Sequence, residues 1–315
     1  MDVGEKYKNN LRKYILIEDI RKKLWTEDGK SRVSIMIGAG FSRNAVKLDI
    51  SLKSMSLWED LKKRLVKELG DTSEYAELDV LTLGDIYEEQ FGIINLEKKK
   101  KKEIPDENYE PSSIYSKLLQ LPFSDVYTTN YDTLLERASK DVFNRRYQVI
   151  YDIHDIPGSV SPRIVKLHGS FPSHRPFVFT KQSYEDYPNE SAPFVNMVQQ
   201  SIMETTMILI GFSGDDPNFR KWLEWVSKTL GKHRPKIYLL GLDIDETNEV
   251  FSKFSVTAID FHSVYQSSLS ASRYATFFEE LFDFLNINPN VDKRKWPYKE
   301  YKLYTFQDKV DINDL

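Results

Sequence analysis

Apolar positions along the chain fall into two kinds of run. Short blocks with few polar interruptions occupy residues 33–37 (V-S-I-M-I), 125–130 (D-V-Y-T-T-N), 163–167 (R-I-V-K-L), 206–210 (T-M-I-L-I), 237–242 and 255–260. Their length and β-branched content predict strands, and the first block, with no alternation of polar and apolar faces, predicts one covered on both sides. Between them the spacing is helical. Residues 57–69 carry Leu61, Leu65, Val66 and Leu69 on one stripe before Gly70, and residues 218–230 carry Trp222, Trp225 and Val226. Further helices are predicted at 75–91, 114–120, 135–139, 182–187, 192–204 and 274–285, with a short extended piece at 177–179. Strands alternating with helices predict an α/β fold, a parallel sheet with helices on both faces. The helices at 57–91 fall between the first two strands, so a helical layer is expected to be inserted there.

The flanks read differently. Leu11, Tyr14, Ile15, Ile20 and Leu24 recur at roughly helical spacing in a charged segment, which suggests a helix packed on the core or on a neighbouring subunit. Lys98 to Lys102 are five consecutive lysines among acidic neighbours, without interleaved aromatics. That pattern predicts a solvated loop, not a nucleic-acid site. Residues from 287 onwards are charged and punctuated by proline, and read as an extension or linker.

Composition narrows the chemistry. The 315 residues include 44 basic and 48 acidic side chains, a net charge of −4, so no global field favours nucleic acid or an anionic membrane. There are no cysteines, which removes disulfides, thiolate metal sites and a cysteine nucleophile. No apolar stretch approaches the ~20 residues that span a bilayer, and the N-terminus has no signal-peptide core. A soluble cytoplasmic protein is expected.

In parallel sheets ligands bind beyond the carboxyl ends of the strands. Here those ends carry Gly38-Ala39-Gly40, Thr129-Asn130-Tyr131-Asp132, His168-Gly169, Gly211-Phe212-Ser213 and Asp243. Each apolar block runs into small, polar or titratable residues. The glycine turn suits a phosphate, because glycine lets backbone approach a ligand and a following helix would aim free N–H groups at an anion. It equally suits a tight strand-to-helix turn with no ligand. His168 could be a structural hydrogen-bonder, as His154, His174, His233 and His262 are expected to be. Thr-Asn before Asp could be turn chemistry and a cap. Together, at one sheet edge, they favour an active site.

G-A-G-F-S, T-T-N-Y-D, K-L-H-G and G-F-S resemble, in order, the four signatures of the sirtuin superfamily. The likeness runs over roughly residues 31–285 and is closest to the bacterial sirtuin-like domains of antiphage defence proteins, which share the G-F-S-x-x-D-P-N form of residues 211–218. The resemblance implies a Rossmann-like, doubly wound sheet with a smaller, mainly helical module. It divides the chain into an N-terminal helical extension (1–30), an NAD-binding catalytic domain (31–286, insert at about 51–121) and a charged C-terminal extension. It implies that Gly38, Ala39, Gly40, Phe41 and Ser42 hold the pyrophosphate, and that Asn130 and Asp132 lie near the nicotinamide ribose and carboxamide. His168 would be the general base. Gly211, Phe212 and Ser213 would line the phosphate and ribose channel, and Asp243 the adenosine end.

Departures from the protein-deacylating members are equally informative. Their structural zinc needs four cysteines, absent here. Their Asp-Phe-Arg segment after the glycine turn is replaced by Arg43-Asn44-Ala45, and F-V-F-T-K-Q-S-Y-E-D-Y (177–187) is not their peptide-binding strand. Hydrolysis of the nicotinamide–ribose bond is therefore the expected reaction: an NAD+ glycohydrolase, with NAD+ as consumed substrate and no metal, acting as a defence effector that depletes NAD+ on infection. A deacylase or ADP-ribosyltransferase, and a non-catalytic NAD- or ADP-ribose-binding module, are the alternatives. A toxic hydrolase must be kept quiet, so homo-oligomerisation and a sensor domain or separate regulatory protein are expected.

Overall fold

The computed structural model describes residues 2–52, 55–143, 145–212, 216–247, 251, 253–266 and 273–287. In chain order the strands are β1 (Val33–Ile37), β2 (Val46–Lys47), β3 (Tyr109–Glu110), β4 (Asp125–Thr128), β5 (Gln148–Ile150), β6 (Arg163–Lys166), β7 (Thr206–Ile210), β8 (Ile237–Gly241) and β9 (Val256–Asp260). Seven of them form one parallel sheet in the order β5-β6-β4-β1-β7-β8-β9. β2 and β3 pair antiparallel as a separate ribbon. The chain leaves β1 towards β4 and later crosses back to β7 on its other side, so the switch of direction lies at β1.

Both faces of the sheet are covered, which is why its central strands are apolar at nearly every position. Val33, Ile35 and Ile37 pack with Val126, Ile164, Ile208 and Ile210 into one core, beneath helices Ser113–Gln120, Leu134–Ser139 and Arg273–Asn286. Met36, Tyr127, Val165, Met207 and Leu209 face the opposite core, closed by helices Lys181–Glu190, Ala192–Glu204 and Pro217–Leu230. The doubly wound α/β architecture expected from the alternating pattern is present. The short β5 escaped the pattern, since Gln148-Val149-Ile150 gives one exposed, one half-buried and one buried position. Residues 177–179 run outside the sheet.

The first thirty residues are not held outside the core. They form two helices, Val3–Asn10 and Tyr14–Leu24, where one was expected. Tyr7, Leu11, Ile17, Ile20 and Leu24 are buried with the sheet's first face, and Ile15 is 73% exposed. Tyr7 and Tyr265 share a hydrogen bond at 2.9 Å, and Trp25 Nε1 donates to Leu285 O at 2.8 Å. These contacts tie the beginning of the chain to helices His262–Tyr265 and Arg273–Asn286. The expectation for residues 287–315 falls, beyond Ile287, outside the described residues.

The insert between β1 and β4 is helical, as expected: Trp58–Glu68, Ser73–Glu77, Val80–Phe91 and Ile93–Glu103. Its apolar side chains Leu61, Leu65, Leu83, Tyr87 and Leu96 pack against Tyr131, Phe171, Phe177 and Phe179, which follow β4 and β6. The insert therefore sits on the carboxyl edge of the sheet. The lysine run corrects the sequence reading. It is the last two turns of helix Ile93–Glu103 and not a loop, with Leu96, Lys100 and Glu103 buried at i, i+4 and i+7. Lys98, Lys101 and Lys102 face solvent, so the run hides one inward position behind its outward ones. Among the described residues no helix is long and apolar enough to cross a membrane.

Candidate active site at the carboxyl edge of the sheet

Strand register sets the site. Lys166 pairs with Thr128, Thr128 with Ile37, and Ile37 with Ile210, forming one row across four strands. One or two residues beyond that row lie His168, Asn130, Gly38 and Gly211. Positions scattered over 174 residues of sequence are thereby brought to one edge at the β1 switch point.

The glycine turn is an interlock of two loops. Gly38 N donates to Ile210 O at 3.0 Å and Gly40 N to Gly211 O at 2.9 Å. A Cβ on Gly38 would lie 2.4 Å from Gly211 O, and one on Gly211 (φ +59°) would lie 2.2 Å from Phe41 N. Backbone against backbone requires these glycines. The helix expected after the turn is one turn long, Ala39–Ser42, so its dipole is small. Two amides that a phosphate could use are already committed. Phe41 turns its ring into the core, edge-on to Tyr115 and Phe278. Phe212 lies against the turn and meets Phe219 edge-on at 4.9 Å. Ser213 lies outside the described residues.

Asn130, Ser42 and Asp132 form one buried network. Asn130 Nδ2 donates to Gly38 O at 3.1 Å and to Ser42 Oγ at 3.0 Å, and Ser42 Oγ donates to Asp132 Oδ2 at 2.6 Å. The amide's two protons are spent, which fixes its orientation and leaves Oδ1 buried with no partner. Burial raises the proton affinity of Asp132, and Lys166 opposes this. Lys166, fully buried, donates to Asp132 O and pairs with Glu136 Oε1 at 3.0 Å. Burial likewise raises Glu136, against the same lysine.

His168 is 1% exposed, and neither ring nitrogen has a hydrogen-bond partner. Tyr184 and Tyr187 meet the ring edge-on at 5.2 and 5.5 Å, and Asp216 Oδ2 lies 3.9 Å from Nε2. Burial lowers the imidazole's proton affinity; Asp216 raises it and Lys100 lowers it further. The ring is held neutral, with a free lone pair. Gly169 (φ +85°) makes the turn that follows, where a Cβ would meet His174 O and Pro176 O at 2.6 Å.

Asp243 stands apart from this cluster. Its carboxylate takes a bond from Arg273 Nη1 at 2.7 Å and pairs with His262 Nδ1, and these lower its proton affinity, His262 foremost. His154 pairs with Asp152, and His174 stacks on Tyr151 at 3.9 Å. Sequence reasoning passed over three residues here. Asn218 is fully buried with both amide atoms unpartnered. Asp216 caps helix Pro217–Leu230 through Phe219 N at 2.9 Å and accepts from Tyr184 OH at 3.1 Å. Asp216 and Asn218 stood in the quoted G-F-S-x-x-D-P-N string, so that signal was available. Lys100 was hidden in its charge run. Among the described residues no group of three or more His, Asp or Glu is placed to hold a metal.

The switch point of this parallel sheet thus gathers a glycine interlock, an oriented asparagine and a buried histidine. Residues 124–259 match the family model described as a SIR2-like domain. It is 29% identical over 208 residues to a protein named NAD(+) hydrolase ThsA from Acinetobacter baumannii (strain 532279), covering 65% of this chain and 40% of that one. A protein of the same name from Enterococcus faecium is 26% identical over 235 residues, 71% of this chain and 46% of that one. Defense-associated sirtuin 2 of Bacillus subtilis is 29% identical over 120 residues, 36% and 12% of the two chains. The chain thus spans less than half the length of these relatives. A crystal structure of a Sir2 homologue with NAD aligns at TM-score 0.43 and 14% identity, over 85% of this chain and 93% of that one.

Proposed function

We propose that the chain is an NAD+ glycohydrolase that cleaves NAD+ to nicotinamide and ADP-ribose, and that it serves as a defence effector. The observation that carries the reading is the set of unpartnered buried acceptors at the switch point: Asn130 Oδ1 and the neutral ring of His168. Buried polar atoms of this kind are costly unless a ligand or water completes them. The kinship with proteins named NAD(+) hydrolase ThsA supports the choice of substrate.

Cleavage of the nicotinamide–ribose bond passes through an oxocarbenium-like state, and neutral nicotinamide leaves with the bonding electrons. Asn130 Oδ1, able only to accept, holds a donor: the attacking water or a ribose hydroxyl. His168 accepts the proton that this group gives up as oxygen bonds to the anomeric carbon. Ser42 and Asp132 position Asn130 and do not themselves react. Gly38 to Ser42, Gly211 to Ser213 and Asp243 are assigned to the dinucleotide, Asp243 at its adenosine end. Homo-oligomerisation, a cytoplasmic setting and control by a sensor domain or separate protein belong to the same proposal, because uncontrolled hydrolysis would exhaust the cell's NAD+.

The test is direct. Purified chain is incubated with NAD+ over a range of protein concentrations, and nicotinamide and ADP-ribose are followed by chromatography. Release of both in equal amounts is expected. NAD+ left intact at every concentration would refute the reading, and ADP-ribose found only on protein would indicate transfer instead.

A further inference from the structure

The insert brings one charged side chain to the edge of this site. Lys100 is 5% exposed, and its Nζ lies 3.7 Å over the Trp58 ring and 5.1 Å from the ring centre of Tyr131, the residue between Asn130 and Asp132. Among the described residues its ammonium makes no ion pair or hydrogen bond; two ring faces are what it meets. The acids of its own helix are committed elsewhere. Glu97 pairs with Arg175, and Glu103 pairs with Arg64 at 2.5 Å and accepts from Ser56 Oγ at 2.7 Å.

Such a placement is costly. Burial disfavours an unpaired ammonium, and ring faces offset only part of that penalty. Burial pushes its proton affinity down to about 7, with Glu103 opposing. Methionine would fill the same space between Trp58 and Tyr131 at less cost, so packing alone does not account for a lysine here. Its charge also reaches His168, so both groups share one poorly screened region. At the glycine turn, meanwhile, the N–H groups of Gly38 and Gly40 are spent on Ile210 and Gly211.

We propose that Lys100 is a substrate-binding residue whose ammonium pairs with the pyrophosphate of the dinucleotide, the one anionic part of NAD+. The helical insert then supplies positive charge that the glycine turn does not. This rests on the hydrolase reading above, and its test reads binding of the product ADP-ribose, so the two can fail separately.

Calorimetric titration of ADP-ribose into wild type, Lys100→Met and Lys100→Arg, with melting temperatures alongside, decides it. Loss of a charged hydrogen bond predicts binding weakened about 10- to 100-fold in Lys100→Met. Lys100→Arg should keep most of the affinity, and Lys100→Met should melt no lower than wild type. Equal affinity in wild type and Lys100→Met overturns the role of Lys100 and leaves the hydrolase reading standing. Weakened binding in both variants with lowered melting means a structural brace, which also overturns it. A wild type that binds no ADP-ribose overturns the role of Lys100, and the hydrolase reading is then decided by nicotinamide release alone.

Discussion

Asn130 gives one side-chain proton to Ser42 Oγ at 3.0 Å and the other to Gly38 O at 3.1 Å. Ser42 can accept it because its own proton goes to Asp132. The result is an asparagine whose one free polar atom is a buried acceptor. Replacing Asn130 or His168 by alanine should lower nicotinamide release by about 10²–10⁴-fold. Asn130→Ala also deletes two buried hydrogen bonds and His168→Ala leaves a cavity, so each should melt lower than wild type while remaining folded. A variant with near-normal turnover would refute its assigned role.

Activity should also report the burial of His168. Its proton affinity is lowered, foremost by burial, so the basic form persists below the ordinary histidine value of ~6.5. The acid limb of the pH–rate profile is expected below that value, with no loss between pH ~6.5 and 8. An acid limb centred above ~6.5 would contradict a neutral, buried base.

Gly38→Ala and Gly211→Ala should act through stability. A methyl on either glycine meets backbone at 2.4 or 2.2 Å, which no side-chain rotation relieves. A cost of about 1–3 kcal/mol or more is expected. Thermal melts of these variants should fall along with activity. Unchanged melting with lost activity would mean the glycines serve the ligand alone.

Stability against pH should carry the mark of Lys100. Its native proton affinity is lowered to about 7 by burial, whereas an unfolded lysine titrates near ~10.4. Between these values the unfolded chain binds the extra proton, so this group makes native stability rise with pH across that window. Glu103, the rings of Trp58 and Tyr131, and His168 are the groups that face it. Denaturant melts of Lys100→Met should show a shallower rise from pH ~7 to 10 than wild type. Parallel curves would mean the ammonium is not buried.

Assembly is tested by light scattering alongside activity at increasing protein concentration. An oligomer, or specific activity that climbs with concentration, is expected. The apolar face of the N-terminal helices is covered within the chain, Ile15 excepted, so the contact must use other surface. Phe91, Ile93 and Ile94, exposed apolar residues flanking Gly92 on the insert, are the place to substitute. A monomer of constant specific activity would rule assembly out.

The sheet was legible because a parallel strand covered on both sides has no polar face to disguise it. Asn130, His168 and the glycine turn were legible because they interrupt such strands at a common end. What escaped depended on partners remote in sequence. Nothing local shows that Gly38 must clear Gly211, or that the proton count at Ser42 orients Asn130. Lys100 sits in a run whose average character is solvated, and only the insert's seating on Tyr131, with Trp58 packed alongside, turns it inward. Leu11 and Ile20 have helical spacing that fits equally a self-covered face or an interface, and only the packing of helix Arg273–Asn286 decides between them.

The interlock of residues 38–41 with Gly211 has a consequence during synthesis. Asn130 and His168 leave the ribosome before β7 does, yet the turn beside them has no counterpart until Ile210 and Gly211 have docked along β1. A nascent chain that ends before Thr206 therefore holds Asn130 and His168 without the completed sheet edge beside them. On the proposed hydrolase reading, the order in which the strands are made withholds activity from incomplete translation products.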